Sequence, residues 1–266
     1  VPLFGIIAIG VLLVTPVRWG IKKRLVVTGC VVLGHSVLSE AAQIPTNRNA
    51  SMQDQIAVWA GAGGFLLIAV AWFCGATVSR VRALSLTGLG IVLLVWPLMP
   101  LAQVTAAYME RSQILPSLVR FESQRMDVFF QLNDARLIKH RKEETGAKSA
   151  EIVLQGDRWP GIEFQDFWPA WQDYSALVVE IENPEPEEMT VSIRVNDRDH
   201  QHDYRDRYTR KFELAPGAKT IRIALTDIES APEMRRMNML EIKTLIIFAT
   251  GQSSGRRFMI HAIRLE

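Results

Sequence analysis

Residues 176–197 read ALVVEIENPEPEEMTVSIRVND, two short apolar runs on either side of the turn-rich segment NPEPEE at 183–188. In each run apolar residues recur at every second position, the period of a strand with one buried face. A turn signal of this kind separates two strands. The pattern repeats outward, in AEIVLQ at 150–155, RKFELA at 210–215, KTIRIAL at 219–225, KTLIIFAT at 243–250 and RFMIHAIRL at 257–265. APG at 215–217 and GQSSG at 251–255 supply further turns. Short strands at this spacing predict an all-β jelly-roll or sandwich domain over 148–266.

The other half of the chain is built differently. Residues 1–109 carry seven Lys/Arg and two acidic residues, whereas 110–266 carry 23 and 26. Segments 1–17, 25–42, 56–78 and 84–106 are apolar enough to be membrane helices, about 20 residues being needed to cross a bilayer. The expectation is an α-helical transmembrane bundle of about four spans over 1–106, a connecting segment over 107–147, and the β domain. The chain opens on Val1 with neither the basic start nor the cleavage site of a signal peptide, so it reads as a fragment beginning in or just before a helix. Loop 18–24 carries four basic residues and 79–83 two, against only Arg48 in 43–55. The positive-inside rule puts the two basic loops in the cytoplasm, and so makes the C-terminal domain extracytoplasmic on a multi-pass cell-membrane protein. Cys30 and Cys74 lie in apolar runs and read as buried small hydrophobes. No one-sided basic stripe indicates nucleic acid.

Two stretches of the β domain carry candidate chemistry. WPGIEFQDFWPAWQDY at 159–174 holds six aromatics beside two prolines. Trp159, Trp168 and Trp171 are candidates for stacking on sugar rings, where apolar C–H faces meet the π-cloud. The competing reading has Trp171 and Tyr174 plugging the sandwich end. NDRDHQHDYRDRY at 196–208 falls between two strands as a hairpin end. His200, Tyr204, Asp206 and Arg207 could form a polar rim for vicinal hydroxyls, and Asp206–Arg207–Tyr208 could equally be a structural ion-pair clasp. His200 and His202 supply only two of the three or four ligands that zinc needs, so no transition metal is assigned. No cofactor is required; a structural calcium on the aspartates is the one left open.

In the membrane half, Glu40, Gln43, Arg48, Ser51, Asp54 and Gly61 form Glu-x-x-Gln, then Arg, then Ser-x-x-Asp, then Gly. Ionisable groups at membrane depth are functional candidates, and an internal Glu40–Arg48 or Asp54–Arg48 pair is the structural alternative. Gly61, Gly63 and Gly64 allow close helix contact. This order resembles the VanZ-like family, named for a protein linked to low-level resistance to the glycopeptide teicoplanin, over roughly 1–105. Val58 stands where that family usually has Asn. The Asn-Pro turn, the D-x-x-H…Y-x-D-R-Y hairpin, the L-x-P-G turn and the closing strand of 148–266 resemble a galactose-binding-like carbohydrate-binding module. Related modules often carry an acidic residue in the last strand at a structural calcium, where this chain has His261.

Together the resemblances imply a membrane-anchored cell-envelope protein, non-catalytic, whose jelly roll binds a polysaccharide or envelope glycan. The alternative is a membrane-embedded enzyme acting on a lipid-linked or envelope glycan, with Glu40, Arg48 and Asp54 at its centre and the jelly roll delivering substrate.

Overall fold

A computed structural model describes residues 2–41, 52–73, 79–141, 148–156, 158–167, 170–201, 203–251 and 254–266. The chain divides into two units, Val1–Ala102 and Gln103–Glu266.

The first unit is helical: α1 (Pro2–Val14), α2 (Gly20–Ala41), α3 (Met52–Phe73) and α4 (Arg80–Val95). A short 3-10 turn at Trp96–Leu98 leads into α5 (Met99–Gln113), whose later residues belong to the second unit. Among the described residues, 55–72 and 80–113 are each long and apolar enough to cross a membrane, and α1 with α2 adds a third crossing if the two count as one span bent by 91°, against the four expected. At 13 residues α1 is about 20 Å long at 1.5 Å per residue, short of a 30 Å hydrocarbon core. The bend falls at Pro16, where Arg24 reaches back to Thr15 Oγ1 at 3.1 Å and also donates to the carbonyl of Leu12.

Helices α3 and α4 pack through glycines. A Cβ on Gly64 would lie 2.6 Å from the carbonyl oxygen of Gly90, and one on Gly90 would lie 2.7 Å from that of Gly64, so only bare backbone permits this approach. Gly63 meets nothing there. Cys30 is exposed on α2 rather than buried, and Cys74 lies outside the described residues.

The second unit is a two-sheet antiparallel β-sandwich. One sheet has the order β1 (Phe130–Asn133), β4 (Gly161–Gln165), β9 (Ile242–Ala249), β6 (Met189–Asp197), β7 (Tyr208–Leu214). The other has β2 (Ala135–Arg141), β3 (Lys148–Leu154), β10 (Arg257–Leu265), β5 (Ala176–Asn183), β8 (Gly217–Ala224). The two runs of 176–197, β5 and β6, belong to opposite sheets. Within the expected connector 107–147, β1 and β2 are edge strands of the two sheets. A one-turn helix, α6 (Leu225–Glu229), follows β8.

Alternate residues of both sheets form one core that includes Ile152, Phe164, Trp171, Ile181, Ile193, Ile247 and Phe258. Burying such side chains is the main favourable term, about 1.5–3 kcal/mol for each large aliphatic or Phe. The end of α5 is held to this body by Arg111, 3% exposed. Its guanidinium lies 4.1 Å from the Phe129 ring centre and 4.6 Å from that of Phe167. It donates to the carbonyls of Gln165 at 2.6 Å and Asp166 at 2.8 Å.

Candidate functional site

The hairpin that joins β6 to β7 is held by an arginine from another loop. Asp197, its side chain wholly buried, accepts two bonds from Arg235, at 2.5 and 2.8 Å, and one from the backbone N–H of Asn238 at 2.7 Å. Arg235 Nε donates to Asp206 Oδ1 at 2.6 Å, and the backbone N–H of Gln201 donates to Asp206 Oδ2 at 3.2 Å. Bonds to Asp197 and then Asp206 raise the pKa of Arg235. The bond from Arg235 outweighs burial and holds Asp206 below the ordinary carboxylate value. A clasp exists, as one sequence reading held, but its cation is Arg235 rather than Arg207. His200 is also interior: Nδ1 lies 2.8 Å from the carbonyl oxygen of Asp206, and 5% of the side chain is exposed. Asp206 and His200 shape the loop instead of rimming it. Tyr204 and Arg207 remain outward, with Tyr204 66% exposed and the Arg207 guanidinium 4.8 Å from its ring centre.

The aromatic stretch is split by β4. Trp171 is 0% exposed and packs edge-on to Phe167 inside the core, so it presents no ring face to a ligand. Trp168 and His202 lie outside the described residues. Trp159 is 63% exposed and has φ of 56°, a left-handed backbone that bulky residues seldom adopt. Trp171 bonds to Met239 and Arg198 to Glu241, so those parts share the 239–241 segment. Trp159 lies beyond the opposite end of β4.

Strand alternation places a second set of residues on the outward side of the β1–β4–β9–β6–β7 sheet, because their neighbours Ile162, Phe164, Ile193, Val195, Leu245 and Ile247 are core. The register sets Gln131, Glu163, Ile246, Arg194 and Thr209 in one row across the five strands. Gln165, Thr244 and Asn196 form the next row, and Gly161, Phe248, Ser192 and Lys211 the row on the other side. Gly161 is required beside Phe248, since a Cβ there would lie 2.6 Å from the Phe248 Cα. Thr244 donates to Asn196 at 2.8 Å, and Gln165 donates to Gln131 at 2.7 Å and to Glu163 at 3.0 Å.

On this face several polar atoms are withheld from internal bonding. Arg194 Nε, Arg207 Nε and Thr209 Oγ1 are buried and have no hydrogen-bond partner among the described residues. An unpaired buried donor costs about 1–3 kcal/mol, and folded chains rarely tolerate several together. Burial, and then the like charge of Arg207, lower the pKa of Arg194; burial lowers that of Arg207. Sequence reading singled out Tyr204 and Arg207 but missed Arg194, Thr209, Gln165 and Phe248. The alternation within TVSIRVND already separated Ser192, Arg194 and Asn196 from the core, and that was the available signal.

A cavity of about 710 Å³ lies elsewhere in the unit, lined by Tyr108, Ser112, Asp166, Arg198, Glu241 and Lys243 among others. Its charges are committed: Lys243 to Asp166, Tyr108 to Asp166 at 3.2 Å, and Arg198 near Glu241 at 3.6 Å. Among the described residues no group of three or more His, Cys, Asp or Glu could hold a metal ion. The aspartates proposed for calcium include Asp206, which is tied to Arg235, and His261 bonds Glu182 at 2.7 Å.

In the helical unit, Gln43, Arg48 and Ser51 and the side chains of Glu40 and Asp54 fall outside the described residues. Beside that motif, buried Ser36 of α2 meets α3: Trp59 Nε1 donates to its Oγ at 3.0 Å and Gln55 Nε2 to its carbonyl at 3.2 Å.

No family model and no curated protein matches this chain. Solved structures similar to it include an exo-beta-agarase, at 14% identity and TM-score 0.46, over 56% of this chain and 24% of that one. The chain thus spans about a quarter of the agarase's length. A family 11 carbohydrate-binding module from Clostridium thermocellum, in complex with a beta-1,3-1,4-mixed-linked tetrasaccharide, is 13% identical at TM-score 0.41, over 56% of this chain and 93% of that one. An endo-1,4-beta-D-xylanase fragment from Clostridium thermocellum, complexed with xylohexaose, is 11% identical at TM-score 0.38, over 56% and 26%. Nothing in these comparisons concerns the VanZ-like resemblance of the helical half.

Proposed function

We propose that this chain is a membrane-anchored cell-envelope protein whose β-sandwich binds a glycan, without catalysis, on the outward face of the β1–β4–β9–β6–β7 sheet. One observation carries the reading: Arg194, Arg207 and Thr209 leave donors unbonded on a face floored by Ile246 and Phe248. Glycans present that combination in reverse, with hydroxyls at the edge of each ring and apolar C–H groups on its faces.

Tyr204 bounds the face near the hairpin, and Trp159 stands exposed beyond the other end of the sheet. Seven strand rises separate Thr190 from Asp197, about 24 Å at 3.4 Å per residue, which is room for several sugar units. Trp168 remains a candidate contact, and Trp171, His200 and Asp206 act by holding the scaffold.

The apolar helices anchor the domain, in keeping with the VanZ-like resemblance of Glu40, Gln43, Arg48 and Asp54. Arg80 and Arg82 sit at the start of the 80–113 helix, so the positive-inside rule orients its far end outward and makes the sandwich extracytoplasmic.

The test is glycan-array binding by the full chain in detergent micelles, with and without EDTA. Selective binding that survives EDTA and is lost in Thr209→Val/Arg207→Gln supports the reading. Binding unchanged by that pair would place the sugar elsewhere, and no binding on any array would end the proposal.

A further inference from the structure

Resting on that glycan-binding reading, we infer that the site takes an acidic glycan, one that offers a carboxylate or sulfate ester to Arg194 and Arg207.

The two arginines are neighbours. Arg194 lies directly opposite Thr209 in the β6–β7 register, and Arg207 is the hairpin residue just before β7, which begins at Tyr208. The like charge of Arg207 acts on Arg194, so the two guanidinium groups lie within electrostatic reach of each other. Neither makes an ion pair among the described residues.

The acids that could have neutralised them are engaged elsewhere. Asp197 and Asp206 hold Arg235, Asp203 holds Arg205, and Glu213 takes the hydroxyl of Thr190 at 2.7 Å. Glu163 shares a row with Arg194 two strands away, and its charge offsets burial and the repulsion from Arg207 only in part. The opposite sheet shows that this chain can pair its arginines when it places acids beside them. There Arg257 meets Glu151 and Glu185, and Arg264 meets Glu180 and Glu266.

Overall charge does not explain an anion site. Residues 110–266 contain 26 acidic and 23 basic residues, so the half as a whole repels polyanions weakly. The attraction is local. A guanidinium presents a planar fork that matches a carboxylate or sulfate two bonds at a time, and a bound anion would offset the repulsion between the pair. Thr209 Oγ1 and Gln165, near Arg194, would meet the sugar hydroxyls.

The experiment measures affinity of the full chain in detergent micelles for paired ligands that differ only in charge. The pairs are polygalacturonate with its methyl ester, alginate with its propylene glycol ester, and dextran sulfate with dextran; duplex DNA is the polyanion control. The expected result is at least one acidic member bound tenfold or more tighter than its neutral partner and tighter than DNA. A polyuronate preference identifies a carboxylate, and a dextran sulfate preference identifies a sulfate ester. Arg194→Gln and Arg207→Gln should abolish most of the difference while leaving the melting temperature unchanged. If Gln variants misfold, Arg207→Lys, which keeps the charge and loses the fork, should retain an intermediate preference. Equal affinity for acid and neutral partners would overturn the inference and leave glycan binding standing. Equal affinity for DNA would reduce it to unselective charge attraction and overturn it. Failure of every glycan, neutral and acidic, would remove the underlying reading as well.

Discussion

The two outward faces of the sandwich carry similar residue types and treat them in opposite ways. On the β2–β3–β10–β5–β8 sheet, charges are placed to cancel: His140 lies 2.5 Å from Glu151, Arg257 bridges Glu151 and Glu185, and Arg222 and Arg264 converge on Glu266. On the β1–β4–β9–β6–β7 sheet, Arg194 and Arg207 face each other's charge and leave Nε unbonded. Exposed pairs contribute little to stability, about 0–1 kcal/mol each, but they satisfy the surface and leave nothing for a partner. Each unpaired buried donor costs about 1–3 kcal/mol until a partner meets it. The difference teaches where to look for recognition: on the face whose polar groups the chain has left unfinished.

The largest effect should come from the clasp that supports the second face. Arg235→Ala strands the wholly buried Asp197 carboxylate, and breaking a buried pair from one side costs about 3–5 kcal/mol. Unfolding of the full chain in denaturant should show that loss, together with loss of glycan binding; unchanged stability would mean that the clasp does not hold the hairpin. Next, Arg207→Gln should weaken glycan binding by about 10–100-fold, the value of one charge-assisted hydrogen bond, with no fall in stability. Should stability fall instead, Arg207 would belong with the paired arginines of the other face.

A smaller change is expected from Trp159→Ala, roughly fivefold in affinity for a long oligosaccharide and none for a disaccharide. Equal loss for both lengths would place Trp159 inside the site and not at its end. Smallest of all, Arg264→Gln on the paired face should leave binding unaltered and cost less than about 1 kcal/mol.

Acid separates the faces in another way. Burial pushes the Glu151 carboxyl up, but bonds from His140 and Arg257 outweigh it and hold it below its ordinary value. The bond from Arg222 holds Glu266 down against desolvation, and Arg264 adds to it. A depressed carboxylate contributes its full stability above the unfolded pKa and loses it as pH falls through the folded value. The melting temperature should therefore drop on acidification below about pH 4, and Glu151→Gln should flatten that drop. An unchanged pH profile in this variant would mean that the Glu151 pairs contribute nothing.

Strand periodicity made most of the sandwich legible, because alternation records burial directly. TVSIRVND and KTLIIFAT became β6 and β9 nearly as quoted, and the hairpin fell between β6 and β7. The edge strands β1 and β2 escaped notice: FQLN is largely exposed on both sides, and an edge strand needs little apolar patterning. In the site, Tyr204 and Arg207 stood out by local density. Arg194 did not, since a single charged residue in a strand is unremarkable until its neighbours across the sheet are known.

From its own order of residues the chain determines an apolar helical half, a β half, the strand segments and which side chains of each strand avoid the core. These are local properties, set by period and by the transfer of apolar surface from water. Tertiary structure alone decided that β5 and β6 part into different sheets, that Trp171 is core, and that Arg235 rather than Arg207 closes the clasp. It also set Arg194 within reach of the charge of Arg207. Such outcomes depend on contacts between residues far apart in the chain, and side-chain partners at that separation are chosen by strand order and register, which no local pattern encodes.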